Sequence, residues 1–118
     1  MNILLVDDDS LAAEMTSAIL ESHGYEVSIS ENGIDALEKI SADSGFSLVI
    51  SDLNMPLVCG IDLFNTLREQ GNATPFILLT GDDPSKAMKL APKLNGCVMK
   101  DDTLEVVLPA LIARMGLK

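Results

Sequence analysis

The sequence predicts an α/β fold built on a doubly wound parallel sheet. Strand-like apolar runs alternate with amphipathic, helix-like segments throughout the 118 residues. The strand-like runs are almost continuously apolar, which is typical of strands that helices cover on both faces of the sheet. Right-handed crossovers between parallel strands then place helices on both faces. A chain of this length has room for one core, so we expect residues 1–118 to form a single domain.

Four of the apolar runs end at a polar residue that can take part in chemistry. They are Ile3 to Val6 before Asp7 and Asp8, Leu48 to Ser51 before Asp52, Phe76 to Leu79 before Thr80, and Cys97 to Met99 before Lys100. Because the carboxyl ends of parallel strands share one edge, the carboxylates, the hydroxyl and the ammonium are expected to meet there. The sequence therefore predicts a site for a phosphoryl group and a metal ion.

Helical spacing of apolar residues predicts one buried face on each helix between the strands. The predicted faces are Leu11, Met15, Ala18, Ile19 and Ser22, then Ile34, Leu37 and Ile40, then Ile61, Phe64 and Leu67, and finally Leu104, Val107, Leu108, Leu111, Ile112 and Met115. The fourth helix is expected to be short and to end near Leu90. Pro92 lacks a backbone donor and disfavours helical geometry at the residue before it.

Residues typical of helix N-termini precede three of the predicted helices. Asn32 is a predicted N-cap for the second helix, and Asp83 followed by Pro84 predicts the start of the fourth. Asp102 with Glu105 resembles a capping box for the fifth helix. The predicted order is thus strand then helix, repeated five times.

Composition excludes several classes of function. Aromatic residues make up 3% of the chain, too few to form platforms on which bases stack, and the net charge of -10 repels phosphate backbones and anionic membranes. No apolar run approaches the roughly 20 residues of a membrane span, and the apolar start is too short for a signal peptide. We expect a cytoplasmic protein that binds neither nucleic acid nor membrane directly.

The acidic residues at the predicted edge indicate a hard metal ion. Asp7 and Asp8 facing Asp52 would repel one another unless a cation lay between them. Oxygen ligands without histidine or thiolate favour Mg²⁺ or Mn²⁺. Asp52 can act as a nucleophile toward phosphorus, Thr80 can donate a hydrogen bond to a phosphoryl oxygen, and Lys100 can neutralise its charge.

The order of these residues resembles the receiver domain of two-component response regulators. The resemblance rests on Ile3 to Asp9, on Asp52 to Pro56 with Gly60 four residues later, on Thr80 with Gly81, and on Lys100. It implies a flavodoxin-like (βα)5 fold with strand order 2-1-3-4-5. It also implies a domain that switches conformation when phosphorylated and so controls an effector protein or domain. The phosphoryl donor would be a histidine kinase or a histidine phosphotransfer protein.

The same resemblance assigns roles within the site. Asp52 would be the phosphoacceptor, Asp8 and Asp52 direct Mg²⁺ ligands, and Asp7 a ligand acting mainly through water. The backbone carbonyl of Asn54 would complete the protein's share of the coordination. Thr80 and Lys100 would bind and sense the phosphoryl group. Such a domain is not an enzyme, although it assists its own phosphorylation and dephosphorylation, and it can pair as a homodimer through its fourth and fifth helices.

Two departures from the family pattern affect the predictions for the site and its readout. Asp101 follows Lys100 where the family usually has a proline after a cis peptide bond. A cis bond before a residue other than proline costs roughly 2.5 to 4 kcal/mol. The sequence therefore predicts a trans bond, or a strained cis bond held by the metal site. Cys97 takes the place of the usual aromatic switch residue, so readout is expected to run through Thr80 and the fourth helix.

Two other functions fit parts of the pattern. A pseudo-receiver would use the same fold as a binding module without phosphorylation. A phosphatase of the haloacid dehalogenase type would use Asp7 and Asp9, then Thr80, then Lys100, then the acidic pair Asp101 and Asp102. It would leave Asp52 without a role, and the first helix begins too soon for the flap that such enzymes insert. The aspartate that becomes phosphorylated distinguishes these alternatives.

Overall fold

The computed structural model describes residues 1–43 and 45–116. Strands and helices alternate along the chain. They are β1 (Asn2–Val6), α1 (Ser10–Ser22), β2 (Glu26–Ser30), α2 (Gly33–Ala42), β3 (Leu48–Asp52), α3 (Gly60–Glu69), β4 (Phe76–Thr80), α4 (Pro84–Leu90), β5 (Gly96–Met99) and α5 (Leu104–Met115). The five strands form one parallel sheet in the order β2-β1-β3-β4-β5. This confirms the predicted fold and strand order.

The sheet separates two aliphatic cores. Successive residues of a strand point to opposite faces, so Leu4 and Val6 of β1 join one core while Ile3 and Leu5 join the other. Helices α2, α3 and α4 cover the first core, and α1 and α5 cover the second. Burial on both faces explains why β1, β3 and β4 read as continuous apolar runs, whereas the edge strand β2 is largely exposed.

Two of the predicted helix starts are confirmed. The Asn32 side chain accepts a backbone N–H of α2 at 2.8 Å. Asp83 likewise accepts a backbone N–H at 3.0 Å, and Pro84 is the first residue of α4. The fourth helix ends at Leu90, as the proline that follows predicted. Among the described residues no peptide bond is cis, so the bond after Lys100 is trans.

The predicted capping box of α5 is wrong. Thr103, not Asp102, is the N-cap residue, and it makes no side-chain cap hydrogen bond. Asp101 instead folds the turn before the helix, because its carboxylate accepts the backbone N–H of Thr103 at 2.8 Å. Asp102 lies inside this turn, so it cannot reach the N–H groups that a capping box requires.

The predicted buried face of α1 is also wrong. Leu11 and Met15 are 66% and 63% exposed. The residues that pack toward the sheet are Ala13, Thr16, Ser17 and Leu20. Three of these four side chains are small, while Leu11 and Met15 lie on the outer side of the helix. In α2, Ile34 of the predicted buried face is likewise exposed.

Candidate functional site

Parallel strands bring the predicted site residues to one edge of the sheet. Asp7 directly follows β1, and its backbone N–H donates to Ser30 of the neighbouring strand at 3.0 Å. Asp52 and Thr80 are the last residues of β3 and β4. Lys100 follows β5 and donates its backbone N–H to the carbonyl of Thr80 at 2.7 Å. Backbone pairing therefore fixes the spacing of these side chains.

Three carboxylates lie together at this edge. Oxygen atoms of Asp7, Asp8 and Asp52 all lie within 4.8 Å of one another. Asp7 is buried, Asp8 is exposed, and Asp52 is 9% exposed, so the cluster opens to solvent on one side. Hard oxygen donors at this spacing fit a small divalent cation such as Mg²⁺, which neutralises their mutual repulsion.

Lys100 reaches into the acidic cluster. Its Nζ lies 3.0 Å from Oδ2 of Asp7 and 3.6 Å from Oδ2 of Asp52. Partial burial acts to lower the pKa of Lys100, but the hydrogen bond to Asp7 and the charges of Asp52 and Asp7 outweigh it and raise that pKa. Lys100 is therefore a firmly charged ammonium placed between two carboxylates.

Asp52 is a poorly solvated carboxylate. Its burial raises its pKa above the ordinary value, and the charges of Asp7 and Asp8 act in the same direction. Lys100 opposes this shift without cancelling it. A carboxylate with little hydration and nearby negative charge gains from binding a cation, and it is free to attack an electrophile.

The loop after Asp52 is closed tightly. The backbone N–H of Leu53 donates to Leu79 at 2.8 Å, and that of Gly60 donates to the carbonyl of Leu53 at 2.9 Å. A Cβ atom at Gly60 would lie 2.4 Å from the carbonyl oxygen of Asp52. Only glycine fits there. Asn54 lies on this closed loop and is exposed. In the sequence Gly60 stands out only by its spacing from Pro56, and its close approach to the Asp52 carbonyl appears only in the folded chain.

Thr80 is buried at the end of β4, and the loop that follows it is exposed. Its Oγ1 accepts the backbone N–H of Asp82 at 3.1 Å. The Asp82 carboxylate accepts the N–H of Asp83 at 2.7 Å and lies 3.4 Å from Nζ of Lys86. The hydrogen bond from Asp83 and then the contact with Lys86 lower the pKa of Asp82. The Thr80 hydroxyl proton remains free to point elsewhere.

Comparison with known proteins identifies the family. The model of the response regulator receiver domain matches residues 3–111. This chain belongs to that receiver domain family. The transcriptional regulatory protein YkoG of Bacillus subtilis is 34% identical over 116 residues, which are 97% of this chain and 50% of that protein. A CpxR homolog of Haemophilus influenzae is 34% identical over 83% of this chain and 43% of its own length.

Solved structures agree with this assignment. The response regulator TrrA of Thermotoga maritima, solved in complex with Mg²⁺-BeF, has a TM-score of 0.87 at 27% identity, with 97% of both chains covered. The chemotaxis protein CheY4 of Vibrio cholerae has a TM-score of 0.82 at 32% identity over 95% of this chain and 96% of that one. The receiver domain is a signalling domain, not a classical enzyme.

Magnesium binding at an aspartate cluster is typical of receiver domains, and Asp7, Asp8 and Asp52 form such a cluster here. Among the described helices, none has the length and apolar character needed to cross a membrane. The chain spans half of YkoG and a smaller share of the CpxR homolog. Those relatives therefore carry further sequence beyond the matched part.

Two further residues near the site have packing or capping contacts. Cys97 lies on β5 and packs partly against the core under α4. Burial raises the pKa of its thiol, which keeps the sulfur protonated and inert. Asp9 caps α1, since its carboxylate accepts the N–H groups of Leu11 and Ala12 at 3.1 and 3.2 Å. That contact gives Asp9 a structural role in place of the acid role that a dehalogenase-type phosphatase would need.

Proposed function

We propose that residues 1–118 act as one receiver domain in which Asp52 accepts a phosphoryl group from a phosphohistidine. The observation that supports this most is the buried Asp52 carboxylate at the end of β3, flanked by Asp7, Asp8 and Lys100. An oxygen of Asp52 would attack phosphorus while the phosphorus–nitrogen bond to the donor imidazole breaks. The imidazole leaves with the electron pair of that bond and takes up a proton, and an acyl phosphate remains on Asp52.

The cation site would consist of Asp8, Asp52, the backbone carbonyl of Asn54 and, through water, Asp7. Both oxygens of Asp7 are already engaged, because Oδ1 accepts the N–H of Asp9 at 3.0 Å and Oδ2 bonds Lys100. This engagement supports an indirect role for Asp7. When bound, Mg²⁺ or Mn²⁺ would neutralise charge on the phosphoryl oxygens.

Lys100 and Thr80 would hold the transferred group. The Lys100 ammonium, which lies 3.6 Å from Asp52, needs only a short shift to reach a phosphoryl oxygen attached there. The Thr80 hydroxyl can donate its proton to a second oxygen. Both contacts stabilise charge that develops during transfer and during the later attack of water. The domain would thereby assist its own phosphorylation and dephosphorylation.

The outer side of α1 supports a protein as the donor. Leu11 and Met15 are exposed one turn apart. Beside them, α1 and α5 border a groove of about 410 Å³, whose apolar wall includes Ile19 and Leu104 and which reaches Lys100. An amphipathic helix that presents apolar residues at helical spacing fits such a groove. A helix docked there would carry its histidine toward the edge that contains Asp52.

The output would pass to an effector protein or to an attached effector domain. A net charge of -10 does not favour direct nucleic-acid binding by these residues, so contact with DNA would fall to such an effector. Pairing of two copies through α4 and α5 remains the proposed homodimer. The proposed location is the cytoplasm, where a kinase can reach the site. No feature of the site favours a pseudo-receiver or a dehalogenase-type phosphatase over phosphotransfer to Asp52.

The test is intact-mass measurement after incubation with acetyl phosphate. Wild type, Asp52→Asn, Asp7→Asn and Asp9→Asn are compared with and without Mg²⁺. Wild type should gain one phosphoryl group only with Mg²⁺, Asp52→Asn should gain none, and Asp9→Asn should still gain one. A Mg²⁺-dependent gain that survives Asp52→Asn would contradict the proposal, and a gain that survives Asp52→Asn but is lost in Asp7→Asn would favour the phosphatase.

A further inference from the structure

Leu57 adopts a backbone conformation that leucine rarely takes. Its φ angle is 71°, and among the described residues no other non-glycine residue has a positive φ. The N–H of Val58 donates to the carbonyl of Pro56 at 2.8 Å, a hydrogen bond between residues two apart. Together these features describe a γ-turn of the rare, strained sense with Leu57 at its centre. Glycine would adopt the same turn without strain.

The fold itself gains little from the Leu57 side chain, which is 79% exposed. The conformation is imposed by its neighbours instead. Val58 packs against α2 so closely that a Cβ atom at Gly33 would lie 2.8 Å from the Cβ of Val58. The hydrogen bond from Gly60 to Leu53 closes the other end of the loop. The loop therefore holds an apolar side chain outward, in a fixed direction, at a cost in strain.

The position of this loop suggests what the side chain contacts. Leu57 lies five residues after Asp52, in the connection that leaves the same edge of the sheet. Exposed Leu11 lies at the start of α1, which leaves that edge from the neighbouring strand β1. A protein that brings a phosphohistidine onto Asp52 must cover the rim of this edge. Acetyl phosphate is small enough to enter without touching the rim.

We propose that Leu57 is a specificity-determining contact for the histidine-bearing donor protein. This inference rests on the proposed phosphotransfer to Asp52 and adds a residue that no motif of the chain assigns. The strained turn fixes the backbone that carries the leucine, so only its side chain has to be ordered when the complex forms. An apolar side chain that loses contact with water when the donor covers this rim adds to the binding energy of the complex.

The test compares two phosphoryl donors. One is acetyl phosphate; the other is a phosphorylated histidine kinase fragment, chosen because it phosphorylates the wild-type chain. Leu57→Gly and Leu57→Ala should slow transfer from the kinase fragment about tenfold or more and leave the acetyl phosphate rate within about twofold. Leu57→Met should retain kinase transfer. Leu90→Ala removes an equally exposed leucine from α4 and should change neither rate.

Folding is measured in the same samples. Leu57→Gly should melt at a higher temperature than wild type because it relieves the turn, so lost transfer could not be attributed to unfolding. Unchanged kinase transfer in Leu57→Gly and Leu57→Ala would overturn the inference. An equal loss with both donors would also overturn it, because Leu57 would then act on the geometry of the site. Failure of wild type to accept a phosphoryl group from acetyl phosphate would instead reject the proposed function itself.

Discussion

The edge that carries the site has two halves that are held in different ways. In the acceptor half, Asp7 and Asp52 are buried and Gly60 packs against the carbonyl of Asp52. In the readout half, the loop between β4 and α4 is held by Asp82 and Asp83, which are exposed and bond to backbone and side-chain groups only one to four residues away. Both halves lie at the edge of one sheet. Contacts with the buried core hold the acceptor half, whereas local contacts at the surface hold the readout half.

This difference indicates where the domain can move. Strand pairing and close packing cannot change without breaking the core, so the acceptor half should keep its geometry in every state. Exposed hydrogen bonds and ion pairs contribute little to stability and exchange easily with water. Thr80 joins the two halves, because it lies at the end of a buried strand and its hydroxyl bonds the loop. A phosphoryl group that recruits Thr80 would therefore loosen the readout half first.

The sharpest contrast should come from adding one methyl group to each half. In Gly60→Ala the new Cβ would lie 2.4 Å from the Asp52 carbonyl oxygen and 2.5 Å from Cδ1 of Leu78, so one of them must move. We expect a loss of about 3 kcal/mol in the free energy of unfolding. Phosphorylation by acetyl phosphate should fall strongly, because the backbone of Asp52 is displaced. Urea denaturation and intact mass measure the two effects.

Gly81→Ala is the matched control in the readout half. Nothing lies within 4 Å of a Cβ atom at Gly81, and its φ is not positive. Stability should therefore stay within about 0.5 kcal/mol of wild type. Equal losses of unfolding free energy in Gly60→Ala and Gly81→Ala would show that packing constrains the two halves equally.

Most of the acceptor half could be predicted from the sequence. A polar residue that ends an apolar strand of a parallel sheet lies at the sheet edge, so Asp7, Asp52, Thr80 and Lys100 could be placed from the ends of the apolar runs. The short α4 followed from Pro92 for an equally local reason. Local rules of this kind do not depend on how the helices pack.

Features that depend on packing distance could not be predicted. The buried face of α1 consists of Ala13, Thr16, Ser17 and Leu20, whereas periodicity alone predicts Leu11 and Met15 there. The close contact of Gly60 with Asp52 and the strained turn at Leu57 also arise only when the loop after β3 folds back onto its neighbours. A glycine in a loop indicates that some close approach exists but not which atom makes it.

A second, smaller effect concerns the charge of Asp52. Its raised pKa means that the folded chain binds more protons than the unfolded chain between the ordinary pKa and the raised value. The associated stability is present below the ordinary pKa and is lost as pH rises through the raised one. Without divalent cations, Asp52→Asn should thus be more stable than wild type at pH 7, by about 1 kcal/mol. Urea denaturation between pH 4 and 7 measures the difference.

The difference between wild type and Asp52→Asn should grow with pH and then level off, because asparagine does not titrate. Added Mg²⁺ should shrink it, since the cation stabilises only the chain that keeps the carboxylate. A wild type more stable than Asp52→Asn at pH 7 without Mg²⁺ would mean that Lys100 outweighs the burial of Asp52. The acceptor half would then not be strained by its own charge.

The smallest effect should come from Lys86→Ala in the readout half. Both side chains of the Lys86–Asp82 pair are mostly exposed, so its removal should leave the urea midpoint unchanged. The pKa of Asp82 should rise only part of the way to its ordinary value, because the N–H of Asp83 is the larger cause of its depression and remains. Carboxyl NMR titration measures this shift, with Lys89→Ala as the control. A clear drop in the urea midpoint would mean that the exposed pair holds the loop as firmly as the core holds Asp52.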